Sequence, residues 1–155
     1  MKKLLFFLLL AFGAWEVGWM LGGVKPLFPW QLQEEYRQGH PDLILLDVRT
    51  RTEFRWFHLP GALNVPAQEL SAPELHIPKG KTVVVICMTG HRSPLVARRL
   101  QQVGYQEVYH LCGGMAGWQL YQWLCGQELK RPAPKVAPAI EQAGRISAGQ
   151  GFSVS

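Results

Sequence analysis

Apolar residues gather along this chain in a few compact runs divided by turn-forming residues. Thr82-Val83-Val84-Val85-Ile86-Cys87 and Glu107-Val108-Tyr109-His110-Leu111 read as strands, and Leu43-Ile44-Leu45-Leu46-Asp47-Val48-Arg49 is an unbroken apolar run ending in charge. Strands covered on both faces of a parallel sheet have that signature. Between them the spacing turns helical. Leu32 and Tyr36 share one face of residues 31–38, with Glu34, Glu35 and Arg37 outward and Gly39 as the stop. Residues 50–57 predict a short helix: Thr50 and Glu53 have capping-box spacing, and Phe54 and Phe57 supply the apolar face. Ser93 as N-cap, Pro94 in the first helical position and Gly104 as terminator frame a helix through Val103. Gly113-Gly114 turns the chain into a last helix over residues 115–123. Residues 58–66 read as turn-rich with a short strand at most, 67–75 as a weak helix or irregular loop, and 25–30 as a proline-interrupted linker. Strands alternating with helices over about 100 residues predict an open, three-layer, mostly parallel α/β domain.

The two ends depart from this pattern. Lys2 and Lys3 precede an apolar stretch that continues to Val24 with Glu16 as its one charge. That length matches one bilayer crossing of roughly 20 residues. Residues 1–25 therefore read as a membrane-targeting segment. The two leading readings are an uncleaved anchor and a cleaved signal with Leu4–Leu10 as its apolar core and Ala11-Phe12-Gly13 as a small-x-small site, and the remaining one is a buried hydrophobic helix. Both leading readings keep the lysines inside and export the domain, to an inner-membrane-anchored position facing the periplasm or exterior, or free into the periplasm. From residue 131 onward Pro132, Pro134 and Pro138 with scattered Ala, Gly and Ser leave no periodic apolar face, so 131–155 reads as a disordered tail.

Charge and cysteine count narrow the function classes. The formal charge of +5 lies at the ends: Lys2, Lys3 and Lys25 against Glu16, then Lys130, Arg131, Lys135 and Arg145 against Glu141, which leaves the middle neutral. A nucleic-acid domain should be basic in its folded part, so that class is set aside. Three cysteines, Cys87, Cys112 and Cys125, allow one disulfide and one free thiol in an oxidising compartment. The helix between Cys112 and Cys125 opposes that pairing, because nine residues rising about 1.5 Å each exceed the roughly 7 Å reach of a disulfide. Cys87, His91 and Cys112 have no metal-ligand spacing, and no dinucleotide fingerprint occurs, so no cofactor is expected. His110 and Cys112 alternate on a strand and read as packing residues.

The chemistry concentrates at Cys87-Met88-Thr89-Gly90-His91-Arg92-Ser93-Pro94. A cysteine at a strand's carboxyl end facing a helix N-terminus occupies the place where a parallel α/β sheet puts its ligands. Loop N–H groups converging there, with the helix dipole and Arg92, make an anion site suited to an attacking or attacked sulfur. The bland reading, an inert thiol ending a core strand, leaves the Gly-His-Arg-Ser-Pro that follows without a purpose.

Asp47-Val48-Arg49 with Glu53, the His58-x-Pro60-Gly61-Ala62-x-Asn64-x-Pro66 segment, Cys87 to Ser93, and Gly113-Gly114-Met115-Ala116-Gly117-Trp118 together resemble a single-domain rhodanese over residues 28–128. The resemblance implies a three-layer α/β/α fold with a five-stranded, mostly parallel sheet, here preceded by one N-terminal hydrophobic helix. It also implies a sulfurtransferase whose Cys87 takes sulfane sulfur from thiosulfate or a similar small anion, forms a persulfide, and passes the sulfur to cyanide or a thiol. Met88, Thr89, Gly90, His91, Arg92 and Ser93 would form the cradle. Asp47, Arg49 and Glu53 would support it structurally, and His58 would be a hydrogen-bonded loop residue. The family pattern often has Gly where this chain has Phe57. Four residues separate Cys87 from Arg92. Dual-specificity phosphatases of similar fold use one more, so the shorter loop favours sulfur over phosphate. A second class of function, a persulfide carrier or docking module for a membrane partner, and a third, redox sensing, would use the same thiol. A sulfur-accepting protein is an implied partner.

Overall fold

The apolar runs become strands because most of their side chains find apolar cover, with Thr82 and Tyr109 only half-buried. In the computed structural model all five residues of the run at 43–47 are buried, as are Val83–Ile86. The structure describes residues 2–70 and 77–125. In chain order the elements are α1 (Lys2–Leu21), β1 (Lys25–Leu27), α2 (Pro29–Gln38), β2 (Leu43–Asp47), α3 (Arg51–Trp56), β3 (Leu63–Asn64), β4 (Thr82–Ile86), α4 (Ser93–Gln102), β5 (Val108–Leu111) and α5 (Gly114–Cys125). The strands form one sheet, ordered β1-β5-β4-β2-β3, with every pairing parallel.

Two apolar clusters cover the sheet. One joins Val83, Val85 and Val108 to Val96, Ala97 and Leu100 of α4, with Trp19 of α1 packed against it. The other joins Leu45, Val84, Ile86 and Leu111 to Leu32 and Tyr36 of α2 and to Met115 and Trp118 of α5. From β2 the chain moves outward through α3 to β3, then returns to the other side of β2 for β4 and moves the opposite way to β5. The strand order thus reverses between β2 and β4. A crevice opens at the carboxyl ends of strands flanking such a reversal.

Several sequence expectations change. The stretch read as a proline linker contains β1, an edge strand whose Leu27 carbonyl accepts from Cys112 N–H at 2.9 Å. Pro26 is tolerated there because an edge position has no neighbour to receive its missing N–H. The helix expected from residue 31 begins at Pro29, and the Gln31 side chain accepts from Phe28 N–H at 2.9 Å. Residues 67–69 form a turn. The rest of the expected weak helix, through 75, lies largely outside the described residues, as does the proposed tail at 131–155.

The membrane reading of the N-terminus is overturned. Among the described residues no helix is long and apolar enough to cross a membrane. Glu16 interrupts the apolar stretch of residues 4–24. Glu16 is instead taken up by the domain, 8% exposed, with its Oε2 3.3 Å from His110 Nε2. Arg98 and Gln101 of α4 hold the following turn through the Gly22 and Gly23 carbonyls at 3.2 and 3.0 Å. The expected membrane anchor, the inner-membrane or periplasmic placement, and the membrane as a partner are corrected accordingly.

Candidate active site

Cys87 follows the last residue of β4, at the crevice between β2 and β4, and its side chain is fully buried. Its sulfur receives the Gly90 N–H at 3.1 Å and lies 3.4 Å from Ser93 Oγ. The Ser93 contact explains a departure from expectation. The helix N-cap is Arg92 rather than Ser93, because the buried Ser93 hydroxyl is turned to the sulfur instead of the helix N–H groups. Gly90 has a positive φ of 87°, and a Cβ there would stand 3.0 Å from Gly113 N. The position that aims an N–H at sulfur therefore excludes a side chain on two grounds.

Helix α5 closes the loop from behind. Met115 N–H donates to the Cys87 carbonyl and Ala116 N–H to the Met88 carbonyl, both at 2.9 Å. First-turn N–H groups have no partner within their own helix, so each end satisfies the other. The approach requires Gly114: a Cβ there would lie 2.5 Å from Cys87 O. At the rim Thr89 and His91 are exposed, with Thr89 Oγ1 2.8 Å from His91 Nδ1. Met88 is half-buried against the α2–α5 cluster.

Arg92, expected to add a fixed positive charge at the rim, is held by Glu53. Its Nη2 donates to Glu53 Oε1 at 3.1 Å, while Glu53 Oε2 accepts from the Thr50 N–H and hydroxyl at 2.8 Å each. Glu53 thus completes the capping box of α3 and fixes the far end of the Cys87 loop at once. Asp47 and Arg49 stand apart from the sulfur. Both are fully buried and joined at 2.8–3.0 Å through Arg49 Nε and Nη2. Asp47 shares a strand face with Leu43 and Leu45 in the α2–α5 cluster, whereas Cys87 belongs to the α4 cluster. The Arg49 guanidinium also donates to Phe57 O at 2.6 Å and lies 4.9 Å from the Phe57 ring centre. That contact gives the departure from Gly at 57 a physical use. Asn64 ties β3 to the same corner through the Asp47 and Arg49 carbonyls at 3.0 and 2.9 Å. His58 hydrogen-bonds to Phe54 O at 2.9 Å and stacks on the Phe54 ring.

A groove lined by Leu27, Glu35, His40, Thr82 and Tyr109 opens at the opposite, amino ends of the strands. Cys112 and Cys125 are both free, one buried and one exposed. Among the described residues no three His, Cys, Asp or Glu side chains cluster as metal ligands would. One feature escaped sequence reasoning: Glu16, His110 and Cys112 meet beneath α1, a contact across more than 90 residues with no local pattern to signal it.

The family model for the rhodanese-like domain matches residues 29–121, more than half of the chain and nearly all of the sheet with its loop. This chain belongs to the rhodanese-like domain family. A sulfurtransferase of Allochromatium vinosum is 36% identical over 77 residues, covering 50% of this chain and 72% of that protein. Thiosulfate sulfurtransferase GlpE of Tolumonas auensis is 34% identical over 79 residues, covering 51% and 74%. A rhodanese-related protein from Thermoplasma volcanium superposes with a TM-score of 0.56 at 25% identity, over 63% of this chain and 92% of that one.

In this rhodanese domain Glu53 makes acid stability a probe of the loop. Burial opposes its ionisation, but the Thr50 hydrogen bonds and the Arg92 guanidinium outweigh that and hold its pKa down at about 2, from 4.5. A depressed carboxyl contributes stability above its unfolded value and loses it as pH falls through the folded one. We expect Glu53→Gln to cost about 1–2 kcal/mol at pH 7, after allowing for solvent screening of a partly exposed pair. The difference from wild type should shrink between pH 4.5 and 2. Urea midpoints of the two chains across that range measure it, and a difference independent of pH would contradict the assignment.

Proposed function

We propose that this protein is a sulfurtransferase that carries sulfane sulfur from thiosulfate or a similar anion to a thiol or cyanide through a persulfide on Cys87. Family membership and the sulfurtransferase names of its relatives support sulfur transfer as the reaction class. The single observation that carries the mechanism is the Gly90 N–H directed at the Cys87 sulfur at 3.1 Å, at the strand-order reversal and ahead of α4. A donor bound at the rim presents its outer sulfur to the Cys87 thiolate. The new S–S bond forms as the bond to the leaving group breaks, and sulfite departs when thiosulfate is the donor. The Gly90 N–H, the Ser93 hydroxyl and the amino end of α4 then face the sulfur charge. An acceptor nucleophile takes the outer sulfur and restores the thiolate. His91 is the exposed donor at the rim suited to the anion, since Arg92 is engaged by Glu53.

The test is the intact mass of the reduced protein after anaerobic treatment with thiosulfate in the presence of cyanide or without it. The reading requires sulfur to leave thiosulfate as thiocyanate when cyanide is present. It fails if a folded, reduced chain neither gains sulfur nor yields thiocyanate or sulfide.

A further inference from the structure

Strands β4 and β5 run in parallel register with Val83 opposite Val108 and Val85 opposite His110. Two residues beyond that last pair stand Cys87 and Cys112, each just past the carboxyl end of its strand. Residues two apart on a strand share a face. Cys87 packs with Val83 and Val85 in the cluster that also holds Val108, so the same face of β5 carries Val108, His110 and Cys112. The turn after Cys112 presses on the loop that carries Cys87: Gly113 N abuts Gly90, and Gly114 abuts the Cys87 carbonyl. Adjacent strands lie about 4.8 Å apart, inside the roughly 4.4–6.8 Å between Cα atoms that a disulfide spans. Two free, buried cysteines therefore occupy adjacent positions just past neighbouring strand ends at the crevice.

Cys112 is equipped for more than packing. The Glu16 carboxyl of α1 stands near enough for its charge to act on the thiol, and His110 Nε2 lies 3.3 Å from Glu16 Oε2. Glu16 and His110 are 8% and 0% exposed, and no hydrogen bond satisfies either Glu16 oxygen or either His110 ring nitrogen. Buried polar atoms left unsatisfied cost about 1–3 kcal/mol each, so the array is kept at a real expense. The Glu16 carboxyl is the group beside Cys112 that can take the thiol proton as the sulfur attacks. The other charged groups nearby are occupied: Arg98 of α4 with Gly22 O, and Lys25 with Glu107 and Tyr109 at the surface. Burial and the nearby Glu16 charge push the Cys112 thiol up to about 12, so it rests protonated. Burial also raises Glu16, which improves it as a base.

We propose that Cys112 is a resolving thiol, which attacks the inner sulfur of the Cys87 persulfide and releases the outer sulfur as sulfide. The proposal rests on the persulfide reading above. The Cys112 Sγ–Cys87 Sγ bond forms as the bond from Cys87 Sγ to the outer sulfur breaks. The Cys112 sulfur is oxidised, the outer sulfur is reduced, and the thiol proton passes through Glu16 to the departing sulfur, giving HS⁻ and a Cys87–Cys112 disulfide. An external thiol then reduces the disulfide and resets the site. Transfer to an acceptor and internal release of sulfide become competing fates of one persulfide.

The experiment follows the full-length, reduced chain under anaerobic conditions with thiosulfate and no acceptor. Released sulfide is quantified, and non-reducing intact mass and peptide mapping are read in parallel. Wild type should release about one sulfide per chain, end two hydrogens lighter than the dithiol, and show a cross-link between Cys87 and Cys112. Cys112→Ser should hold one extra sulfur and release no sulfide. Glu16→Gln should slow release at least about tenfold without reducing the extent of sulfur uptake. Sulfur retained on wild type with no sulfide, or a cross-link to Cys125 instead, overturns the resolving role and leaves the persulfide standing. No adduct on Cys112→Ser and no sulfide from wild type overturns the persulfide reading itself. The wild-type sulfide and mapping results do not depend on whether either variant folds.

Discussion

Cys87→Ser should end sulfur uptake altogether while leaving the fold in place. A serine hydroxyl is nearly isosteric with the thiol and keeps the Gly90 N–H and Ser93 Oγ as neighbours. It cannot form the S–S bond on which transfer depends, and an alkoxide is far less accessible at neutral pH than a thiolate. We expect cyanide-dependent consumption of thiosulfate to fall by at least about 10³-fold, equivalent to about 4 kcal/mol of lost transition-state stabilisation. The urea midpoint should move by no more than about 1 kcal/mol worth of stability, since one small buried group replaces another. Thiocyanate formation and intact mass read the first quantity, and equilibrium unfolding reads the second. A variant that keeps a tenth of the rate or still gains sulfur would move the carrier elsewhere. Cys125, exposed at the end of α5, supplies the control, because Cys125→Ser should leave uptake unchanged.

What could be read from the chain alone was whatever a local pattern encodes. The runs ending at Asp47 and Cys87 had to be parallel strands because nothing polar interrupts them, and both are. The Thr50–Glu53 capping box and the turn at Gly113-Gly114 are short-range devices whose geometry follows from spacing, and both stand where expected. The missing pieces depend on distant partners. β1 is three residues with a proline inside, and only the Cys112 N–H and the register with β5 make it a strand. The Ser93 hydroxyl could serve a helix end or a sulfur, and the choice falls to the sulfur that the tertiary fold sets beside it. The tie that holds Arg92 comes from Glu53, a carboxylate 39 residues away that no local pattern links to it. The apolar character of residues 4–24 gives no sign of which side chains the domain takes up: Glu16 is buried against His110, far along the chain, while Leu4, Phe6, Phe7, Leu10 and Leu21 stay exposed.

Removing one member of the Asp47–Arg49 pair should be among the most damaging single changes available to the fold. Both side chains are fully buried, and the guanidinium bridges the Asp47 carboxylate, the Phe57 carbonyl and the Phe57 ring. Arg49→Met keeps much of the side-chain volume but strands the carboxylate, which retains only the Arg49 backbone N–H at 3.0 Å. Breaking a buried pair in this way costs about 3–5 kcal/mol, because a charge is left without compensation. For a domain of this size that corresponds to a fall in Tm of roughly 10–20 °C. The double variant Asp47→Asn with Arg49→Met removes the stranded charge and should recover more than half of the loss. Thermal and urea unfolding of the wild type, both single variants and the double variant complete the cycle. Recovery in the double variant would identify the pair as a mutual dependence that positions the corner of α3, next to the Glu53–Arg92 tie. Additive losses would mean that each residue acts separately, with Arg49 serving mainly through Phe57.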